Sequence, residues 1–560
     1  MSGGTGKARK PRAGAAINAG AAFVLVLLIA LVAISQAQAP PPAIAEISPD
    51  AQKQIQNAPH NQSSKFGNGA GGDAGNETAA PPPPESARTT VVPRTRKCVG
   101  NPPRQIEDPQ SPPCVPYWVG DNGGATWKGV TRDTINVVIP NYDNGNPGLG
   151  ALYEAFFNQR FEFYGRHIKL IDGSSVPNGT PAQDESAAAT FDEQYHAFAI
   201  GAGAPDDYYM YGAAARRGIV AENTEIQFTD ADLNSKHNVY QYFMGVDSVF
   251  ANQGNWACSR LAGGNAVHAG AQLQNNKRVF GIIMTKSWQD NPESPKPLED
   301  ELMKCGERSA KTLVYTFNAS SFPTPQMSPA DATNAIVQMH QAGVTSLFFL
   351  GDPGEMNVVM TAATAQAYSP EWLIGSYVDI DNNLLMHSSV SNPSQLQHAF
   401  GISIQPRTTR PEAMPAAWAA WEEDPTYKFA AGDRLAFAAK EYWAIFEIAS
   451  GIQMAGPHLT PETFEAGLRK AVFPNPITKI MEGAAGFNDA VSSHSMTKDA
   501  AEIYWDPNSV DGAGGAGNGA WCYVSGGARH RLGGYPKGGD PFFQGPCDNG
   551  AAINYGPTSQ

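Results

Sequence analysis

From Gly129 onward, short apolar runs alternate with segments of helical period, and this alternation constrains the fold more than any other feature of the chain. Ile135-Asn136-Val137-Val138-Ile139 reads as a strand and is followed by a helix-period stretch through Leu149, Leu152, Phe156, Phe157 and Arg160. His167 to Ile171 is the next strand, Asp184 to Tyr195 a helix, and Ala197 to Ile200 a strand running into Gly201-Ala202-Gly203-Ala204-Pro205. The pattern repeats as strand Arg278 to Met284, helix Pro297 to Cys305, strand Thr312 to Thr316, helix Ala330 to Ala342 and strand Thr345 to Leu350. Strands that alternate with helices form parallel sheets covered on both faces, so the fold class is α/β. The pattern is too long for one comfortable core, which predicts two Rossmann-like lobes.

The segment before this domain is different in kind. Lys7, Arg9, Lys10 and Arg12 form a basic cluster, and no further charge appears until Glu46. The apolar stretch within residues 13–35 reaches ~24 to 30 Å as a helix, about the width of a bilayer. Basic residues stay on the cytoplasmic side, so residues 1–12 are expected inside and everything after Ile34 outside. A cleaved signal peptide and an uncleaved membrane anchor both fit this stretch. Residues 36–97 are rich in Pro, Ala and Gly and read as a disordered linker spanning roughly 40 Å.

Six cysteines follow, Cys98, Cys114, Cys258, Cys305, Cys522 and Cys547, all in the part expected outside. An even number there suggests disulfides, and pairing by sequence neighbour is the simplest of the fifteen possible sets. Residues 98–128 read as a disulfide-closed collar, and the Gly-rich residues 511–560 as a disulfide-pinned tail. No CxxC pair is present, and no metal or cofactor is called for. The net charge of −14 argues against a nucleic-acid partner. No Gly-x-Ser-x-Gly, no His-Glu-x-x-His, no phosphate loop and no Gly-x-Gly-x-x-Gly joining a strand to a helix marks an enzyme, so none is expected.

Gly129-Val130-Thr131 through Ile135, and then Tyr164-Gly165-Arg166-His167-Ile168, resemble the opening of type I periplasmic solute-binding proteins. The resemblance is to the branched-chain amino acid (Leu/Ile/Val-binding-like) group that serves ABC transporters. It continues through Lys277-Arg278-Val279-Phe280-Gly281 and Gly401-Ile402-Ser403-Ile404, and ends near Ile503-Tyr504-Trp505. It implies two lobes joined by a three-strand hinge, residues 129–245 with 405–485 and residues 246–404 with 486–510. It also implies capture of a small polar solute (amino-acid-like, or an amide or amine) for an ABC permease in the membrane. A tethered receptor or sensor is the alternative. Glu162-Phe163-Tyr164 and Gly201 to Asp207 depart from the family pattern, which weakens the case for an aliphatic amino acid.

Ligands of open α/β sheets sit at the carboxyl ends of the strands. The candidate binding residues are therefore Tyr142, Asp143, Gly201, Ala202, Gly203, Asp206, Glu222 and Asn223 on one lobe, with Trp288, Asp352 and Tyr377 on the other. The amides after Gly201 suit an anionic group, Trp288 a stacking contact, and Asp206 or Asp352 an amine. As simpler roles, the aspartates suit helix caps and the glycines suit turns.

Overall fold

The computed structural model describes residues 96–99, 101, 103–108, 110–203, 208–225, 228–286, 293–317, 326–406, 414–430, 434–471, 486–487, 494–510 and 518–547. The basic N-terminus, the expected apolar span 13–35 and the linker as far as residue 95 lie outside them. No helix among the described residues is long and apolar enough to cross a membrane.

The described chain opens with two antiparallel strands, β1 (Cys98–Val99) and β2 (Arg104–Gln105), closed by the Cys98–Cys114 disulfide. The segment that follows is embedded rather than peripheral, for Gln105, Ile106, Glu107, Asp108, Gln110 and Ser111 are all buried. Its polar groups are met by the main domain. Gln453 donates to Gln105 at 2.9 Å, Tyr442 donates to Asp108 at 3.1 Å, and the Tyr242 hydroxyl bonds Gln110.

The first large sheet contains β3 (Thr134–Ile139), β4 (His167–Asp172), β5 (Ala199–Gly201), β6 (Val220–Asn223) and β7 (Val239–Gln241). Between them run α1 (Leu149–Arg160), α2 (Pro181–Glu193), α3 (Tyr208–Arg216) and α4 (Asp230–Ser235). All pairings are parallel, in the order β4-β3-β5-β6-β7. The central strands are apolar because both faces are covered.

The chain then passes through α5 (Val246–Arg260) into a second sheet. There β8 (Phe280–Lys286), α6 (Lys296–Lys304), β9 (Ser309–Thr316), α7 (Pro329–Gln341), β10 (Ser346–Leu350), α8 (Pro353–Ala365) and β11 (Glu371–Ile374) repeat the alternation. After α9 (Asn383–Ser389) and α10 (Pro393–Leu396) comes β12 (Ala399–Ser403). Strands β9-β8-β10-β11-β12 are parallel and follow the same relative order as the first sheet. The two halves are thus built to one topology.

Three helices return to the first lobe: α11 (Pro415–Glu423), α12 (Arg434–Ala455) and α13 (Pro461–Lys470). Helix α11 docks on α1, where Tyr153 donates to the Ala416 carbonyl at 3.0 Å and Arg160 pairs with Glu422 and Glu423. The chain crosses back a third time into β13 (Asp499–Val510), which pairs antiparallel with β12, β14 (Asn518–Tyr523) and β15 (Arg529–Arg531). Part of the Gly-rich tail therefore forms the edge of the second sheet. The first and third crossings lie side by side, with the Thr497 amide donating to the Tyr242 carbonyl at 3.0 Å.

The cysteines pair Cys98–Cys114, Cys258–Cys305 and Cys522–Cys547, with Cα atoms 5.6 to 6.0 Å apart. His268, which has no acidic neighbour in sequence, meets Asp540 at 2.8 Å.

Gly129 shows why its motif needs glycine. Its φ is +72°, and a Cβ there would lie 2.3 Å from the Phe198 nitrogen and 2.4 Å from the His196 carbonyl oxygen. Both neighbours are backbone, so neither can turn aside. Gly129→Ala is expected to cost about 2 kcal/mol or more, read as a lower urea midpoint at unchanged m-value.

Candidate functional site

The carboxyl ends of the strands in the two sheets carry the sequence candidates, and several of these turn out to serve local structure. Asp143 lies in a tight turn with φ +60°, and its carboxylate accepts the amides of Gly148 and Gly150, both at 2.8 Å, where α1 begins. The Tyr142 ring lies against Gly150, which has no room for a side chain. Gly201 is where α12 packs on the sheet, since a Cβ there would meet Ala444 at 3.0 Å and Ile448 at 3.2 Å. The Gly203 amide donates to the Tyr211 hydroxyl at 3.1 Å, and Ala202 between them is buried with φ +56°. Of the amides expected to hold an anionic group, that of Gly203 is taken by a protein hydroxyl.

Asp352 takes the simpler of its two roles. It caps α8, accepting from the Glu355 amide at 2.9 Å, and burial raises its pKa. Glu222 points into the first lobe towards Glu447 of α12, and both are fully buried. Asp206 and Trp288 lie outside the described residues.

Asn223 and Tyr377 do lead to a site. Asn223 accepts from the Glu225 amide at 2.9 Å and donates to the Glu225 carbonyl at 3.1 Å, which fixes Glu225 just beyond the end of β6. The Glu225 carboxylate receives the Lys440 ammonium of α12 at 2.7 Å to each oxygen. The same ammonium reaches Asp379 of the second lobe at 2.5 Å. All three side chains are 7% exposed.

Asp379 follows β11 in a turn with Tyr377 and Val378, where Val378 and Asp379 have φ of +51° and +56°. A β-branched residue rarely adopts that conformation, and such strain clusters at functional sites. Gln405 donates to Asp379 at 2.7 Å and to Asp381 at 3.2 Å. Ser403 donates to Asp381 at 2.5 Å, and the Ser376 hydroxyl donates to the same carboxylate. Tyr377 donates its hydroxyl to Glu293, the first described residue after β8 and its loop. The strand ends of the second lobe thus place Glu293, Asp352, Asp379 and Asp381 near one another.

The electrostatics follow from burying several acids with one base. Burial raises Glu225 to about 8, opposed by Lys440 and reinforced by Asp379. Burial also raises Asp381 to about 7, against the two serine hydrogen bonds. Burial alone would lower the Lys440 pKa, but Asp379 and Glu225 carry it upward. The cluster therefore keeps its ammonium and discharges surplus negative charge by holding a proton. The Lys440 ammonium spends its three donors on three carboxylate oxygens, while Ser376, Ser403 and Gln405 supply the donors to Asp381.

Sequence reasoning missed Glu225, Lys440, Asp381 and Gln405. A signal was present in α12, where Lys440, Glu441 and Glu447 interrupt an otherwise apolar helix, and buried charges are seldom kept without partners. Among the described residues no group of three His, Cys, Asp or Glu side chains could hold a metal ion.

No family model matches the chain, and no curated protein matches it. Among solved structures it is similar to a fatty acid ABC transporter substrate-binding protein from Thermomonospora curvata, at 14% identity and a TM-score of 0.49 over 73% of this chain and 95% of that one. It is also similar to a periplasmic binding protein type 1 from Bordetella pertussis Tohama I, at 12% identity and a TM-score of 0.48 over 66% of this chain and 96% of that one. A leucine-binding protein from Thermotoga maritima matches at 12% identity and a TM-score of 0.46, over 70% of this chain and 98% of that one.

Proposed function

We propose that this chain is an extracytoplasmic solute-binding protein that captures a small polar solute between its two lobes for delivery to an ABC importer. The observation that carries the reading is the meeting of Glu225 and Asp379 from the strand ends of two like-ordered sheets, with further acceptors behind them. Strand ends of open α/β sheets are where such folds place ligands, and the three crossings between the lobes suit a hinge. Strand ends crowded with carboxylates favour a solute that brings donors, so an amine or amide fits better than a carboxylate. A tethered receptor that reports the same closure to a partner is the second reading, supported by the apolar, base-flanked segment at residues 13–35.

A thermal-shift screen of the purified chain against amino acids, amides, polyamines and sugars tests this. A donor-bearing solute at a hundred times its Kd is expected to add about 2.7 kcal/mol to the unfolding free energy. No response from any donor-bearing class, in a protein that melts cooperatively, would sink the reading. A cationic solute also demands ionised acceptors. Because Glu225 and Asp381 titrate near about 8 and about 7, affinity for a cation should rise with pH from roughly 6 to 8 as protons are released. Calorimetry in two buffers of different ionisation heat would read that release directly, and equal heats in both would refute it.

A further inference from the structure

The Lys440 ammonium stands where a cationic solute would bridge the lobes. Lys440 belongs to α12, which is packed on the first sheet through the contact at Gly201, and Glu225 follows β6 of that sheet. Asp379 follows β11 of the second sheet. Separating the lobes would therefore leave Lys440 on Glu225 and strip it from Asp379. Asp379 is held ready for this contact by Gln405 and by the left-handed turn at Val378 and Asp379.

We propose that Lys440 is a built-in occupant of the cleft, an internal alkylammonium that fills a subsite formed by Glu225 and Asp379 and latches the two lobes together. The subsite is specific for a primary ammonium. It supplies three carboxylate oxygens within 2.7 Å of one nitrogen, the number of donors a primary ammonium carries. A substituted ammonium lacks those donors. The consequence for selectivity rests on the solute-binding reading above: a solute cannot place its own amine in this subsite while Lys440 remains. The latch itself requires no solute and is tested without one.

The experiment uses the full chain with Lys440→Ala, which removes three methylenes and the ammonium. The missing piece has the shape of n-propylammonium, added as its chloride. Interlobe distance is read by pulsed dipolar spectroscopy between labels at exposed Glu185 and Lys296, one on each lobe. The variant is expected to show a longer distance and a Tm lower by roughly 5–10 °C. Millimolar n-propylammonium should restore both, tetramethylammonium should restore neither, and the unsubstituted protein should respond to neither.

An unchanged distance in the variant would overturn the proposal, as would equal stabilisation of both proteins by n-propylammonium. Should Lys440→Ala fail to fold, Asp379→Asn keeps the Lys440–Glu225 contact and weakens only the link across the lobes. It too should lengthen the distance, and an unchanged distance would reject the latch. The two readings fail separately: a silent solute screen leaves the rescue intact, and a solute hit without rescue leaves the clamp without its latch.

Discussion

Arg278→Met is expected to lower the unfolding free energy by about 3–5 kcal/mol while leaving solute affinity of the folded protein unchanged. Arg278 precedes β8 and donates to Glu371 through Nε at 2.8 Å and Nη2 at 2.9 Å. Glu371 opens β11 and is wholly buried, and it also accepts the His268 amide at 3.1 Å and the Ser346 hydroxyl. Those neutral donors cannot balance a full charge once the guanidinium is gone. The pair sits at the amino ends of its strands, opposite the carboxyl ends that carry Asp379, which is why binding should be spared. Urea unfolding of Arg278→Met, Glu371→Gln and the double variant would measure the coupling. A double variant nearer the unsubstituted protein than Arg278→Met would confirm that the cost is the stranded carboxylate. A loss below 1 kcal/mol would show that the Glu371 carboxylate does not depend on Arg278.

The second large effect is on the pH dependence of stability. Glu447 on α12 is buried beside Glu222, and burial raises Glu447 to about 7, opposed by Glu222 and Lys498. Burial and the neighbouring Glu447 carboxylate raise Glu222 well above its ordinary value. A carboxyl whose pKa is raised by folding binds more protons folded than unfolded. Its stabilising protonated form is present below the unfolded value of about 4.5 and is lost as pH rises through the folded value. Stability should therefore fall as pH rises from about 5 to 8. Glu441, raised to about 8 by burial and by Asp143, acts in the same direction. Glu447→Gln keeps the shape and cannot ionise, so it should gain on the order of 2–3 kcal/mol at pH 8 and little at pH 5. Equal effects at the two pH values would mean the pair is not the source.

Much of the architecture was legible in the sequence because its cause is local. The apolar runs at Ile135 to Ile139 and Ser346 to Leu350 had to be strands buried on both faces. The helix-period stretches between them left parallel crossovers as the economical topology. The cysteines pair as sequence neighbours because each couple lies within one lobe or one appended segment, where chain proximity and fold proximity coincide. The buried path of Gln105 to Ser111 was not legible. The sequence reads only as a disulfide-closed collar there, and Gln453, Tyr442 and Tyr242, more than a hundred positions away, meet its buried polar groups.

The site divides along the same line. Sequence alone placed Tyr377, Asn223 and Asp352 at the carboxyl ends of strands, since strand order and loop position follow from local pattern. Which side chains there are committed to capping, as with Asp143 and Asp352, depends on helix starts a few residues away and was half visible. That Lys440 meets Glu225 and Asp379 depended on two sheets and a returning helix separated by 215 and 61 positions along the chain. Periodicity determines which residues share a face within one element. Only the packing of one lobe against the other decides which buried charge finds its partner, because an ion pair this costly to desolvate exists only where the whole fold has already brought the three groups together.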